Sequence, residues 1–141
     1  MGPATAVAVA ALFCWLGMVV AISFLEAPLK FRAPGVTLPI GLGIGRLVFR
    51  ALNVAEVLLA AVIVVALVTA RPAAVALVAV AVAVGALTLQ LLAVRPWLTR
   101  RSDAVLAGAD APRSRAHFAY IGLEGVKVIA VLVAGIVLLS Q

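Results

Sequence analysis

The sequence predicts an all-α integral membrane protein, a single domain of four transmembrane helices spanning residues 1–141. Three observations carry this. Four apolar runs, residues 5–25, 51–70, 72–94 and 118–139, each match the roughly 20 residues a helix needs to cross a ~30 Å hydrocarbon layer. The chain is 67% hydrophobic with a mean hydropathy of +1.31, more apolar surface than a soluble domain of 141 residues can hide from water. Charged residues are only 11% of the chain, and most fall in two connections rather than along the runs. Backbone polar groups in lipid are satisfied only by helices or closed barrels, and runs of this length are too long for barrel strands.

The first helix is expected over residues 5–25. It lacks a basic leader, its apolar run exceeds the 7–15 residues of a signal peptide, and no A-x-A-like site follows, so it is read as a retained helix. The single cysteine, Cys14, excludes an internal disulfide and a cysteine-based metal site, and is expected as a small buried apolar residue. Pro28, Pro34 and Pro39 mark a long loop after this helix. The second helix is expected over 41–70, overshooting the bilayer at its basic end. Gly41 and Gly45 form a G-x-x-x-G spacing that permits close helix approach. No strand precedes it and no Lys-Ser/Thr follows, so it is not a phosphate loop. The third helix, 72–94, is nearly pure Ala and Val until Thr88 and Gln90, and such small residues predict a place inside the bundle. A second long, water-exposed loop follows over 95–115, with Asp110 or Ser114 as candidate caps of a fourth helix over 115–139.

Nine basic residues lie in the two long connections: Lys30, Arg32, Arg46, Arg50, Arg95, Arg100, Arg101, Arg113 and Arg115. The connection between runs two and three has only Arg71. Short loops rich in Lys and Arg stay in the cytoplasm. Both follow an odd-numbered helix, so the expected orientation is N-out and C-out with both long loops cytoplasmic. The net charge of +6 is therefore read as an orientation signal assisted by anionic lipid headgroups, not as a nucleic-acid surface. A faint repeat at an offset of 68 aligns residues 27–32 with 95–100 and Glu56 with Glu124, as a duplicated hairpin would.

Ionisable residues inside apolar helices are the main functional clue, because a charge at a helix centre costs about 2.5–3.5 kcal/mol on insertion scales. In the fourth helix His117, Tyr120, Glu124 and Lys127 share a face. In the second, Arg46, Arg50, Asn53 and Glu56 do so, and Gln90 joins from the third. These nine residues are the candidates for ligand binding or proton coupling. Expected pairs are Glu56 with Lys127 and Glu124 with Arg50. Glu124 and Lys127 pairing along their own helix is the alternative, in which the ions only fix register. Glu26, Glu56, Glu124 and His117 are too few for a di-metal bundle, which uses two Glu-x-x-His motifs, and no metal site is expected. A single histidine excludes bis-histidine haem within one chain, and no nucleophilic triad can be assembled around it. No cofactor is named by any motif. Trp15 and Trp97 read as packing and interface anchors.

The segments Phe24-Leu-Glu-Ala-Pro28, Gly45-Arg-Leu-Val-Phe-Arg-Ala-Leu-Asn53, Arg95-Pro96 and His117-Phe-Ala-Tyr120 resemble the transmembrane-protein-205-like proteins and their small bacterial relatives. The resemblance implies a four-helix membrane fold with a long loop after helix one and another after helix three. It supplies no reaction and no catalytic residue. Abundant Arg, Ala and Val add the expectation of a bacterial inner-membrane protein. The expected function is binding or transport of a small solute, ion or lipid-like ligand by a homo-oligomer in contact with membrane lipids. A membrane-embedded enzyme acting on a lipophilic substrate, or a structural subunit of a larger complex, are the alternatives.

The orientation is testable in intact cells. In a Cys14→Ala background, a cysteine at Arg101 is expected to resist impermeant maleimide, while one at Gln141 reacts. The reverse labelling pattern would overturn the orientation.

Overall fold

The computed structural model describes residues 1–108 and 115–141, and among these the regular structure is entirely helical. Four helices are long and apolar enough to cross a membrane: α1 (Pro3–Arg32), α2 (Leu38–Ala70), α3 (Ala74–Leu106) and α4 (Arg115–Leu139). This is the helix content of a multi-pass membrane protein. Asp110 and Ser114, the expected caps of α4, lie outside the described residues.

Two of the expected boundaries are corrected. The first helix does not stop near residue 25 but runs to Arg32, which reduces the expected long loop to residues 33–37. The third does not stop at 94 but continues to Leu106, so much of the second expected loop is helix. The physical reason is the same in both places. Residues Val20–Glu26 and Gln90–Val94 form π-helical turns. The Ala27 N–H bonds to the Ile22 carbonyl, and the Arg95 N–H to that of Gln90, each reaching back five residues instead of four. Pro28 and Pro96 come directly after these wide bonds. A proline in a regular helix clashes with the carbonyl four residues back, and a widened turn has already moved that carbonyl aside. The two devices stand 68 residues apart, the offset of the faint sequence repeat.

Helix α2 begins at Leu38, slightly before the expected Gly41. Thr37 accepts a hydrogen bond from the Ile40 N–H at 3.4 Å, and Pro39 sits in the first turn, where no backbone donor is needed. Its 33 residues extend about 50 Å at 1.5 Å per residue, well past a ~30 Å hydrocarbon layer. At the other end Arg71 adopts a left-handed conformation (φ 51°) and Pro72 follows, so the helix cannot continue.

Helix α1 packs against α2 and α4, and α3 packs against α4. Helices α2 and α3 meet mainly through the Arg95–Leu106 part of α3. The expectation that α3 lies inside the bundle is corrected. It buries Ala76, Ala79, Ala83 and Ala86 on one face and leaves Val75, Val78 and Val82 exposed. Its small residues serve one close contact rather than encirclement. Cys14 is likewise exposed rather than buried.

The larger apolar core, around Leu12, Trp15, Ile63, Ala83, Ala134 and Leu138, fills the half of the bundle nearest the termini. A smaller one, Val94, Ala116 and Tyr120 with Phe49, Leu98 and Leu123 against it, lies at the basic end. Three glycine contacts fix how closely the helices meet. Gly41 receives the ring of Phe31 and Gly45 the ammonium of Lys30, which seats the end of α1 on the start of α2 through the G-x-x-x-G spacing. A β-carbon on Gly135 would meet the Phe13 ring at 2.9 Å, so α4 approaches α1 there without one. Gly135→Leu is expected to destabilise the bundle by about 1–3 kcal/mol through overpacking. Gly122→Ala, where a β-carbon meets nothing within 4 Å, should leave thermal unfolding in detergent nearly unchanged.

Candidate functional site: a buried lysine beside a basic cavity

Where the two cores meet, every helix contributes a polar side chain. Lys127 of α4 is fully buried, as are Glu56 of α2, Gln90 of α3 and Glu124 of α4. An ammonium has three donors. Those of Lys127 reach the Glu56 Oε2 carboxylate oxygen, the Glu124 Oε1 oxygen at 2.5 Å and the Gln90 Oε1 oxygen at 2.8 Å. Gln90 is fixed from its other end, since its amide nitrogen donates to Glu124 Oε1 at 3.2 Å and to the Tyr120 carbonyl at 3.3 Å.

Helix α1 supplies two members that the sequence reading missed. The Trp15 indole N–H donates to Glu56 Oε2 at 2.8 Å, and the Ser23 hydroxyl donates to Glu124 Oε2 at 2.5 Å. A signal for them existed. Trp15 and Ser23 are eight residues apart with buried Val19 midway, one helical stripe carrying two donors within the apolar run of α1. A buried indole N–H generally needs an acceptor.

The expected Glu56–Lys127 pair is present, and so is the Glu124–Lys127 pair along α4. The expected Glu124–Arg50 pair is not. Glu124 is taken by Lys127, Ser23 and Gln90, while Arg50 is exposed on the surface of α2. Glu56 and Glu124, 68 residues apart, thus converge on one lysine. That lysine has no counterpart in the repeat, because Leu59 stands 68 residues before it.

One side of this knot opens into a cavity of about 1160 Å³. Its walls come from residues 23–31 of α1, 41–58 of α2, 91–102 of α3 and 117–124 of α4, all on the basic side of the larger core. Ser23 and Glu124 are the knot members that reach it. Of the nine candidates, Arg46, Arg50, Asn53, His117, Tyr120 and Glu124 line the cavity, whereas Glu56, Gln90 and Lys127 lie behind it. The two expected stripes therefore divide into a buried network and a ligand-sized space, joined by Glu124.

The cavity is strongly cationic, with Lys30, Arg46, Arg50, Arg95 and Arg101 around it. Arg46 is paired with Asp103 at 2.7 Å, a contact hidden in the sequence because the segment around Asp103 reads as a loop. Lys30 has Glu26 at 3.8 Å and lies over the Phe31 and Phe49 rings. Arg95 stacks over Phe49 with its guanidinium carbon 5.4 Å from the ring centroid, and Tyr120 meets the same ring edge-on at 5.8 Å. Among the described residues, no carboxylate lies within ion-pair distance of Arg50 or Arg95. His117 is half-buried and packs edge-on to Phe118. Among the described residues, the buried Tyr120 hydroxyl has no hydrogen-bond partner.

The knot changes what a mutational cycle should show. Lys127→Met strands two carboxylates, and losing one partner of a buried ion pair costs about 3–5 kcal/mol. Adding Glu56→Gln is expected to recover part of this, because Glu124 would still be a buried charge. Only the triple variant Glu56→Gln/Glu124→Gln/Lys127→Met should return close to wild-type stability. Thermal unfolding in detergent across the series would show this, and strictly additive losses would mean the three groups do not act together.

Comparison of the chain with protein-family models, with curated proteins and with solved structures finds no match.

Proposed function

We propose that this is a small ligand-binding or transport protein that takes an anionic solute or lipid-like ligand into the cavity at its basic end. The observation that carries the reading is the charge of that cavity. Five cationic side chains surround it, and two of them, Arg50 and Arg95, have no carboxylate partner among the described residues. Confined like charges beside apolar walls raise the local concentration of counter-ions and favour a bound anion. Glu124 links that space to the buried lysine. An anion entering near Glu124 would bias the balance between its bonds to Ser23 and Lys127, a route by which occupancy could be coupled to helix packing or to a proton.

By the bias of basic residues, the cavity faces the cytoplasm and the termini face outward, in a bacterial inner membrane. The resemblance to the transmembrane-protein-205-like proteins belongs to this proposal, and its four motifs contribute Phe24, Arg46, Arg50, Arg95, His117 and Tyr120 to the cavity wall. Four helices leave no wide path within one subunit, so a homo-oligomer embedded in lipid is part of the reading. A second reading is favoured by one feature, the cavity's restriction to the basic half of the helices. A pocket closed at its inner end also suits an enzyme acting on a lipophilic substrate, with His117, Tyr120 or Glu124 as the acid–base group.

The reading is tested with purified full-length protein in a neutral detergent. Soluble phosphates, carboxylates and anionic lipids are compared with neutral and cationic compounds by thermal shift. At a hundred-fold excess over Kd a ligand stabilises by about 2.7 kcal/mol, which is readily measured. Anionic compounds are expected to raise Tm for the wild type and to lose that effect in Arg50→Gln. If no anion shifts Tm, or Arg50→Gln responds as the wild type does, the cavity is not an anion site.

A further inference from the structure

We propose that the occupant of the cavity is a lipid phosphomonoester, with its phosphate between Arg50 and Arg95 and its chain along the apolar wall of α2. This rests on the ligand-binding reading above and narrows it to a substrate class. The cavity has two zones stacked along the helices. The outer zone holds Lys30, Arg46, Arg50 and Arg95. Deeper, α2 presents Val54, Val57 and Leu58, which share a face at spacings of three and four. These residues line the cavity and are also 58%, 48% and 63% exposed, and Ile121 of α4 is 45% exposed beside them. Because α2 and α3 meet mainly through the Arg95–Leu106 segment, little covers this apolar zone from the side, and it lies within the apolar run of α2 that is expected in hydrocarbon. A soluble anion has no use for such a wall, whereas an acyl or isoprenyl chain would cover it.

The charge count selects the headgroup. Of the five cations, Arg46 is balanced by Asp103, Lys30 has Glu26 nearby, and Arg101 is engaged in an interaction of its own. Arg50 and Arg95 remain without a carboxylate among the described residues. A phosphomonoester carries about −1.5 to −2 charges near pH 7 and offers three acceptor oxygens, which matches two guanidinium groups. A phosphodiester headgroup carries one charge and leaves one arginine unmatched. The buried, unpartnered Tyr120 hydroxyl supplies a further donor for the third oxygen, and Arg95 is held for the purpose by its stacking on Phe49. From Arg50 to Leu58 the helix rises about 12 Å, enough for the first eight or so carbons of a chain.

The test uses full-length protein in neutral detergent and a phosphatidic acid with a fluorescent acyl chain, followed by anisotropy. Phosphatidylglycerol serves as the anionic diester, phosphatidylcholine as the zwitterion and inorganic phosphate as the soluble competitor. Saturable binding of phosphatidic acid is expected, about ten-fold or more tighter than phosphatidylglycerol, and not displaced by equimolar phosphate. Arg50→Gln should weaken it by about ten-fold, with partial recovery in Arg50→Lys. Val57→Trp should weaken it by crowding the chain. Arg50 and Val57 are exposed, so these variants are expected to fold, and an unchanged thermal transition confirms it. Equal binding of all anionic lipids, insensitive to Arg50→Gln, would mean annular lipid only and overturn the proposal. Displacement by equimolar phosphate would overturn the lipid assignment while leaving an anion site standing. Absence of phosphatidic acid binding, with other anions still raising Tm, would overturn this inference but not the ligand-binding reading.

Discussion

The arrangement of the bundle depends on burying one ammonium group. Lys127 is surrounded by protein, and an unpaired ion in that position would cost several kcal/mol. Its three donors must each find an acceptor, and the acceptors come from α2, α3 and α4. Helix α1 joins them, since Trp15 donates to the same Glu56 oxygen as the lysine and Ser23 donates to the Glu124 oxygen that the lysine leaves open. Apolar packing between such Ala- and Val-rich helices has little directional preference in lipid, because lipid tails are as apolar as the side chains. The lysine knot supplies the direction. It sets the rotation and depth of all four helices at one level.

That level also divides the molecule. Toward the termini the helices close on an apolar core. Toward the basic end they separate around a cavity, with a small cluster about Tyr120 holding α3 against α4. The π-turns sit on this boundary. Residues Val20–Glu26 and Gln90–Val94 rotate the continuing segments of α1 and α3, and those segments carry Lys30, Phe31, Arg95 and Leu98 to the cavity wall. An extra residue in a helical turn re-aims every side chain beyond it, and such turns recur at functional positions. A chain without them would direct these side chains elsewhere.

The offset of 68 residues that relates the two π-turns also relates the two carboxylates of the site. Glu56 and Glu124 occupy equivalent positions, as do Pro28 and Pro96 behind their π-turns. Two carboxylates facing each other in a low-dielectric interior would repel. A lysine in one hairpin, with leucine at the equivalent place in the other, turns that repulsion into a shared attraction. The asymmetry leaves Glu124 with one face toward the lysine and the other toward the cavity, so the structural ion pair and the candidate binding space share a single residue.

The number of spanning helices, their approximate positions and the polar stripes of α2 and α4 were legible in the sequence, because lipid imposes a minimum apolar length and makes any charge within it conspicuous. The Glu56–Lys127 partnership was legible too, from matched depth and opposite sign. What the sequence could not decide was where α1 and α3 end. Proline normally stops a helix, and the π-turn that lets one pass is written in hydrogen-bond geometry rather than in residue type. With those ends misplaced, Asp103 could not be matched to Arg46, nor Lys30 and Phe31 to Gly45 and Gly41. The partners of Trp15, which the sequence gives only as a packing anchor, and of Ser23 were hidden for a related reason. A lone indole or hydroxyl in an apolar helix marks a need for an acceptor, but only the packing of α1 against α2 and α4 chooses which carboxylate provides it. The tertiary structure alone decided that Glu124 belongs to the lysine rather than to Arg50. Three close acceptors can saturate a buried ammonium, while Arg50 stands on an exposed face of α2 away from them.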